Sequence, residues 1–159
     1  MKACVVYDSF FGNTEKIARA VAAALESAAE VRVVRVGDVK PDQLTGLDLL
    51  LVGSPTRGFR PSPATVELLK ALPAGALQGV KAAAFDTRIS PADANSSFLR
   101  FMVRLFGYAA EPIASQLQAK GAAMLLPPEG FFVMASEGPL KEGELERAAE
   151  WGKKLLAAG

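Results

Sequence analysis

The chain has 159 residues, a formal net charge of +1, one cysteine and no histidine. Without histidine and with a lone thiol, it lacks the usual ligands of a zinc or copper site, the commonest general base and any internal disulfide. Half of its residues are apolar, yet no apolar run reaches the length of a membrane span, and acids and bases are interspersed. Neither nucleic acid nor a membrane is an expected partner.

Met1-Lys2-Ala3-Cys4 leads directly into an apolar strand ending at Tyr7, so no leader peptide is expected and a cytoplasmic location is the default. Cys4 falls inside this strand and reads as a buried, inert thiol. The strand turns at once into Asp8-Ser9-Phe10-Phe11-Gly12-Asn13-Thr14, and a helix with Ile17, Val21 and Leu25 on one stripe follows. A loop of this kind at the mouth of a helix offers free backbone N–H groups and the positive end of the helix dipole. That combination holds anions, phosphate above all. Ser9 and Thr14 can add hydroxyl donors, Asn13 an amide donor, and Gly12 lets the backbone come close. A phosphorylated small molecule is therefore the expected ligand of the first β-α turn.

Residues 31–36 form a second strand, polar enough to sit near a sheet edge. Residues 48–52 (Asp-Leu-Leu-Leu-Val) read as a strand covered on both faces. A short helix is expected over 63–71, a fourth strand over 80–85, and helices over 95–106 and 108–119 with a break near Gly107 and Pro112. A fifth strand covers 122–126. Pro127-Pro128-Glu129-Gly130 interrupts it, and Phe131-Phe132-Val133 either resumes it or adds a short strand. The last helix runs from about Glu144 to Ala157, with Leu145, Ala148, Gly152 and Leu155 on one stripe and Trp151 assigned to packing. Five strands alternating with helices imply a doubly wound parallel sheet in a single α/β domain, residues 1–159.

Ligands of such sheets lie beyond the carboxyl ends of the strands, at the switch point in strand order. The loops to inspect are 8–14, 53–63 and 86–97. The second, Gly53 to Pro63, holds three prolines, two arginines and Phe59, a candidate to stack on a planar ring. The third opens Asp86-Thr87-Arg88-Ile89-Ser90-Pro91 and adds hydroxyl donors and a guanidinium. Turn chemistry alone accounts for any one of these loops; all three together point to one shared ligand.

The segment Val5 to Val21 resembles the flavodoxin signature, with Tyr7, Ser9, Gly12, Thr14, Ala18 and Val21 at the family spacing. Gly53-Ser54-Pro55-Thr56 is similar to the second flavin loop of flavodoxins and of flavodoxin-like quinone reductases. Glu137-Gly138-Pro139-Leu140 adds a weaker likeness. The resemblance implies a five-stranded parallel sheet in the order 2-1-3-4-5, between two helix layers, with noncovalent FMN as cofactor. Carried onto matching positions, Ser9, Phe10, Phe11, Gly12, Asn13 and Thr14 would wrap the phosphate. Ser54, Pro55, Thr56, Arg57, Gly58 and Phe59 would line the isoalloxazine. Asp86, Thr87 and Arg88 would meet its other edge or the ribityl chain. A dinucleotide is disfavoured, because the first loop lacks Gly-x-Gly-x-x-Gly spacing.

Three departures bear on chemistry. Phe10 and Phe11 stand where the family places hydroxyl residues, the third loop lacks a stacking aromatic, and the chain is not acidic. Arg57, Arg60 and Arg88 near a flavin would stabilise its reduced, negatively charged form. Two-electron reduction of a quinone-like acceptor, with NAD(P)H as donor, is the expected function. The alternatives are an electron carrier serving a partner redox protein and a flavodoxin fold that binds flavin weakly. Phe98, Leu99, Phe101, Met102, Val103, Leu105 and Phe106 make the third helix apolar on more than one face, with Arg100 and Arg104 as a narrow polar edge. Either a second copy of the chain covers the extra face, giving a homodimer, or the 108–119 segment does. The narrow polar edge argues against a membrane-surface role.

Overall fold

The computed structural model describes residues 1–90 and 96–159. Pro91 of the third loop and Asn95, the expected start of the third helix's segment, lie outside the described residues. In chain order the elements are β1 (Lys2–Tyr7), α1 (Asn13–Leu25), β2 (Glu30–Arg35), β3 (Leu49–Pro55), α2 (Pro63–Ala71), β4 (Lys81–Ile89), α3 (Ser97–Phe106), α4 (Ala110–Ala119), β5 (Ala123–Met124), β6 (Glu129–Val133) and α5 (Glu144–Ala158). The sheet is parallel in the order β2-β1-β3-β4-β5, and β6 also pairs with β4. Strand 5 is thus one line broken by Leu125 to Pro128, and Phe131-Phe132-Val133 resumes it beside Thr87, Arg88 and Ile89. Proline cannot donate to a ladder, which accounts for the gap.

Period-two alternation sorts the strand residues between two cores. Val5, Tyr7, Leu49, Leu51, Ala83 and Phe85 face α1 and α5, together with Ile17, Val21, Leu25, Ala148 and Leu155. Cys4, Val6, Leu50, Val52, Ala82 and Ala84 face α2 and α4, with Leu69, Ile113 and Leu117. Burial raises the Cys4 thiol to about 11, as suits an inert packing residue. Trp151 packs edge-on against Phe85 and Phe131, with ring centroids 5.9 Å away in each case. A Cβ on Gly53 would collide with the Phe85 ring, so this aromatic cluster requires glycine at the end of β3. On α5 the buried stripe is Ala148, Trp151, Gly152 and Leu155; Leu145, expected there, is exposed. The bulky indole takes the inward direction and Gly152 lets α5 approach Ala24 and Val21 of α1.

The start of α5 is fixed to β6 by charge. Glu144 accepts hydrogen bonds from Phe132 N–H (2.7 Å) and from Arg147 Nε (2.9 Å). Arg147 also donates to the Gly130 carbonyl and lies over the Phe131 ring. Burial pushes the Glu144 carboxyl up, but its bonds from Arg147 and Phe132 outweigh burial and hold it below its ordinary value near 4.5. A carboxyl depressed in the folded state stabilises the fold above its unfolded value, and that contribution is lost as pH falls through the folded value. Glu144→Gln is therefore expected to cost about 2 kcal/mol at pH 7, with a gap to wild type that narrows below about pH 4.5. Urea denaturation of both proteins across that range measures it.

Helix α3 belongs to neither core: none of its residues is buried. Cover by the 108–119 segment is thereby overturned. That segment, α4, spends its apolar side, Ala110, Ile113 and Leu117, on the sheet instead.

Candidate functional site

The three loops converge at the carboxyl ends of β1, β3 and β4 on a single cleft with about 700 Å³ of empty space, mouth included. Ser9, Phe10, Phe11, Asn13, Thr14, Pro55, Thr56, Arg57, Gly58, Thr87 and Arg88 line it, along with Ile89, Val133 and Ser136. The enclosed part of that space is about 220 Å³, less than the roughly 300–1,000 Å³ of closed small-molecule pockets, so the cleft is an open one.

At the first loop, Gly12 takes a left-handed conformation (φ 90°) and α1 begins without a side-chain cap. The first intrahelical bond is from Lys16 N–H to Gly12 O. Among the described residues, the N–H groups of Phe10, Phe11, Asn13, Thr14 and Glu15 have no acceptor. Such amides at a helix start are donors for an anion. The loop is held from beneath. Ser9 Oγ accepts from Gly12 N–H (3.0 Å), and Asp8 accepts from Ser9 N–H (2.9 Å). Arg35, at the end of β2, donates to Ser9 O at 2.8 Å and lies 3.4 Å from the Asp8 carboxylate. Asn13 Nδ2 donates to Glu137 O (3.1 Å), which spends one of the two amide hydrogens expected to serve the ligand. The Thr14 and Thr87 hydroxyls bond each other at 2.7 Å in a buried pair, so one hydroxyl hydrogen of the two remains to donate. Phe10 and Phe11 stand half-exposed at the rim, and the Arg57 guanidinium lies over both rings, 5.1 and 5.8 Å from their centroids.

The second loop closes as a tight hairpin, with reciprocal bonds between Arg57 and Arg60. Its two central residues, Gly58 and Phe59, both have positive φ. This turn carries Phe59 away from the cleft, and its ring meets Phe106 of α3 at 5.9 Å. The expectation that Phe59 stacks in the site is corrected accordingly. Arg60 likewise lines a neighbouring crevice and not the cleft. Ser54 lies behind the lining, where its hydroxyl accepts from Ser62 N–H.

In the third loop Asp86 is fully buried and does not line the cleft. Its carboxylate takes both Arg88 Nε (2.6 Å) and Nη2 (2.7 Å) and accepts Ala110 N–H at the start of α4 (2.9 Å). Burial raises the Asp86 carboxyl, against the opposing pull of Arg88. Arg88 is stacked on Tyr108, 3.7 Å from the ring centroid, with Gly130 backbone close against it. The positive charge expected from Arg88 is thus neutralised in place. Among the described residues, Arg57 is the cleft guanidinium that has no carboxylate partner, and none of them brings a carboxylate to the lining.

Sequence reasoning missed Arg35, Tyr108, Ile89, Val133 and Ser136. Arg35 was within reach, because the parallel register sets it beside Tyr7. Val133 and Ser136 depended on β6 resuming the fifth strand beyond the prolines.

A doubly wound 2-1-3-4-5 sheet is the flavodoxin-like architecture, in which ligands lie beyond the strand ends, and free amides at its first loop suit a phosphate. The flavodoxin family profile matches residues 5–151, and the chain belongs to the flavodoxin family. Similar solved structures include oxidised flavodoxin 1 of Bacillus cereus (20% identity, TM-score 0.78, 99% of this chain and 98% of that one). A flavodoxin from the domain Archaea shares 25% identity, with TM-score 0.74 and 99% of each chain covered. A flavodoxin, WrbA-like protein from Agrobacterium tumefaciens shares 20%, with TM-score 0.73, 99% of this chain and 96% of that one. No curated protein matches the sequence. The cofactor of this redox protein is FMN. The free amides at α1, and a lining without carboxylates among the described residues, fit a phosphorylated, electron-accepting group. Among the described residues no helix is long and apolar enough to cross a membrane.

Proposed function

We propose that this flavodoxin carries out two-electron reduction of small quinone-like acceptors, with NAD(P)H as the electron source. The observation that carries the reading is the Arg57 guanidinium at the mouth of the cleft, with no carboxylate partner and no carboxylate in the lining among the described residues. FMN, when bound, supplies reversible uptake of electrons and protons. The chain's own residues bind and tune it. Ser9, Gly12, Asn13, Thr14 and the N–H groups of Phe10 and Phe11 hold the phosphate. Pro55, Thr56, Arg57 and Gly58 flank the ring, and Thr87 and Arg88 meet its opposite edge. Ser54 and Asp86 fix these loops from behind. The Arg57 cation favours the negative charge gained on full reduction, and an acidic surround would oppose it. The aromatic rim of Phe10 and Phe11 offers a planar acceptor an apolar approach.

The carrier reading, transfer to a partner redox protein, is favoured by the likeness to flavodoxins of Bacillus cereus and of the Archaea over 99% of this chain. Redox titration and turnover separate the two. Full reduction in one two-electron transition, with NADH or NADPH driving quinone turnover, is the expected result. Arg57→Glu is expected to lower the midpoint potential by about 30 mV or more, equivalent to roughly 1.4 kcal/mol of lost attraction. Two well-separated one-electron transitions, with no turnover on either nicotinamide, would give the function to the carrier.

A further inference from the structure

We infer that α3 is a membrane-surface helix that docks the folded chain on an anionic phospholipid bilayer. Phe98, Phe101 and Leu105 follow one another at helical spacing along one stripe, and their relative exposures are 67%, 56% and 62%. Phe106 and Leu99 extend the apolar arc, exposed at 57% and 46%. Burial in the fold accounts for none of these side chains, because no residue of α3 is buried. An exposed run of phenylalanine and leucine is a feature of interaction surfaces and not of ordinary solvated helices.

The charge beside this stripe selects the occupant. Arg100 and Arg104 lie one turn apart along its edge, and the helix itself carries no acidic residue; Glu111 stands beyond its C-terminal end, against Gly107. Phenylalanine and leucine on one face with arginine on the other is the composition of helices that lie in the plane of a bilayer interface. Lipid phosphates complement the arginines, and each arginine stem can reach the headgroups while the rings enter the acyl boundary. The narrow polar edge that weighs against a membrane in the sequence alone carries a different meaning once the helix is seen to leave the core. The whole apolar arc is then free for a second phase.

A second copy of the chain is the competing occupant of this face, and the test below separates it from a bilayer. The face also continues toward the cofactor cleft, because Phe106 meets the Phe59 ring and Gly58, next in the chain, lines the cleft. Docking through α3 would therefore present the cleft side of the molecule to the lipid.

The test is flotation of the full, FMN-loaded chain with vesicles of phosphatidylglycerol and phosphatidylcholine, and with vesicles of phosphatidylcholine alone. Wild type is expected to float with the anionic vesicles and about tenfold less with the neutral ones. The triple variant F98S/F101S/L105S is expected to lose vesicle binding by at least about tenfold while retaining FMN, which shows that the fold persists. R100Q/R104Q is expected to lose the anionic preference and keep only the weak binding to neutral vesicles. Wild type left behind by both vesicle types would overturn the inference. So would a dimer in sedimentation velocity that the triple variant dissolves, since a second copy would then cover the face.

Discussion

Asp86→Ala is expected to lower stability by about 3–5 kcal/mol, since Asp86 is the most deeply buried charged residue among those described. The carboxylate is fully buried and answers three donors at once: two from Arg88 and one from Ala110. Removing it strands a guanidinium that is only 15% exposed and held in place by Tyr108. It also leaves the first amide of α4 without its acceptor. The cost is that of an uncompensated buried charge, not the worth of the ion pair, so the double variant Asp86→Leu/Arg88→Met should regain much of the loss. Urea denaturation of the single and double variants measures both. A single-variant loss below about 1 kcal/mol would mean that Asp86 does not hold the third loop.

The second large effect concerns the anion site. A carboxylate introduced at Phe10 would lie on the rim of the first loop, beside amides that await a phosphate. Repulsion of a phosphate about 6 Å away, at an effective dielectric near 40, amounts to about 2 kcal/mol, roughly 30-fold in affinity. Phe10→Asp is thus expected to weaken FMN by about 30-fold and to leave riboflavin, which lacks the phosphate, nearly unchanged. Phe10 is half-exposed, so the substitution leaves the core intact. Equal losses for both flavins would mean that the substitution damages ring contacts and that the phosphate lies elsewhere.

Much of this molecule could be read from its sequence. The strands declare themselves because β1, β3 and β4 are apolar on both faces, and α2 begins at Pro63, as its proline and the preceding Ser62 cap dictate. The first loop was legible because a glycine between a strand and an amphipathic helix has few other uses. What escaped was set by long-range contacts. The Asp86 to Arg88 pair and the stacking of Tyr108 join residues through tertiary packing, and no local pattern marks the guanidinium as neutralised. The direction of Phe59 depends on two successive positive φ values, which phenylalanine seldom adopts. For α3 the sequence left two alternatives for its extra apolar face, and only the cover by 108–119 fails. Its apolar composition does not say which alternative holds, and the sheet's occupation by α2 and α4 leaves it outside. Leu145 fell out of its stripe because Trp151 set the rotation of α5.

Titration calorimetry of the cofactor-free chain with FMN and, separately, with riboflavin tests the central claim most directly, that backbone amides at the start of α1 grip a phosphate. One FMN per chain, bound about 100-fold or more tightly than riboflavin, is the predicted result, from roughly 3 kcal/mol of charge-assisted hydrogen bonding. Equal affinity for the two flavins, or no heat with either, would contradict it.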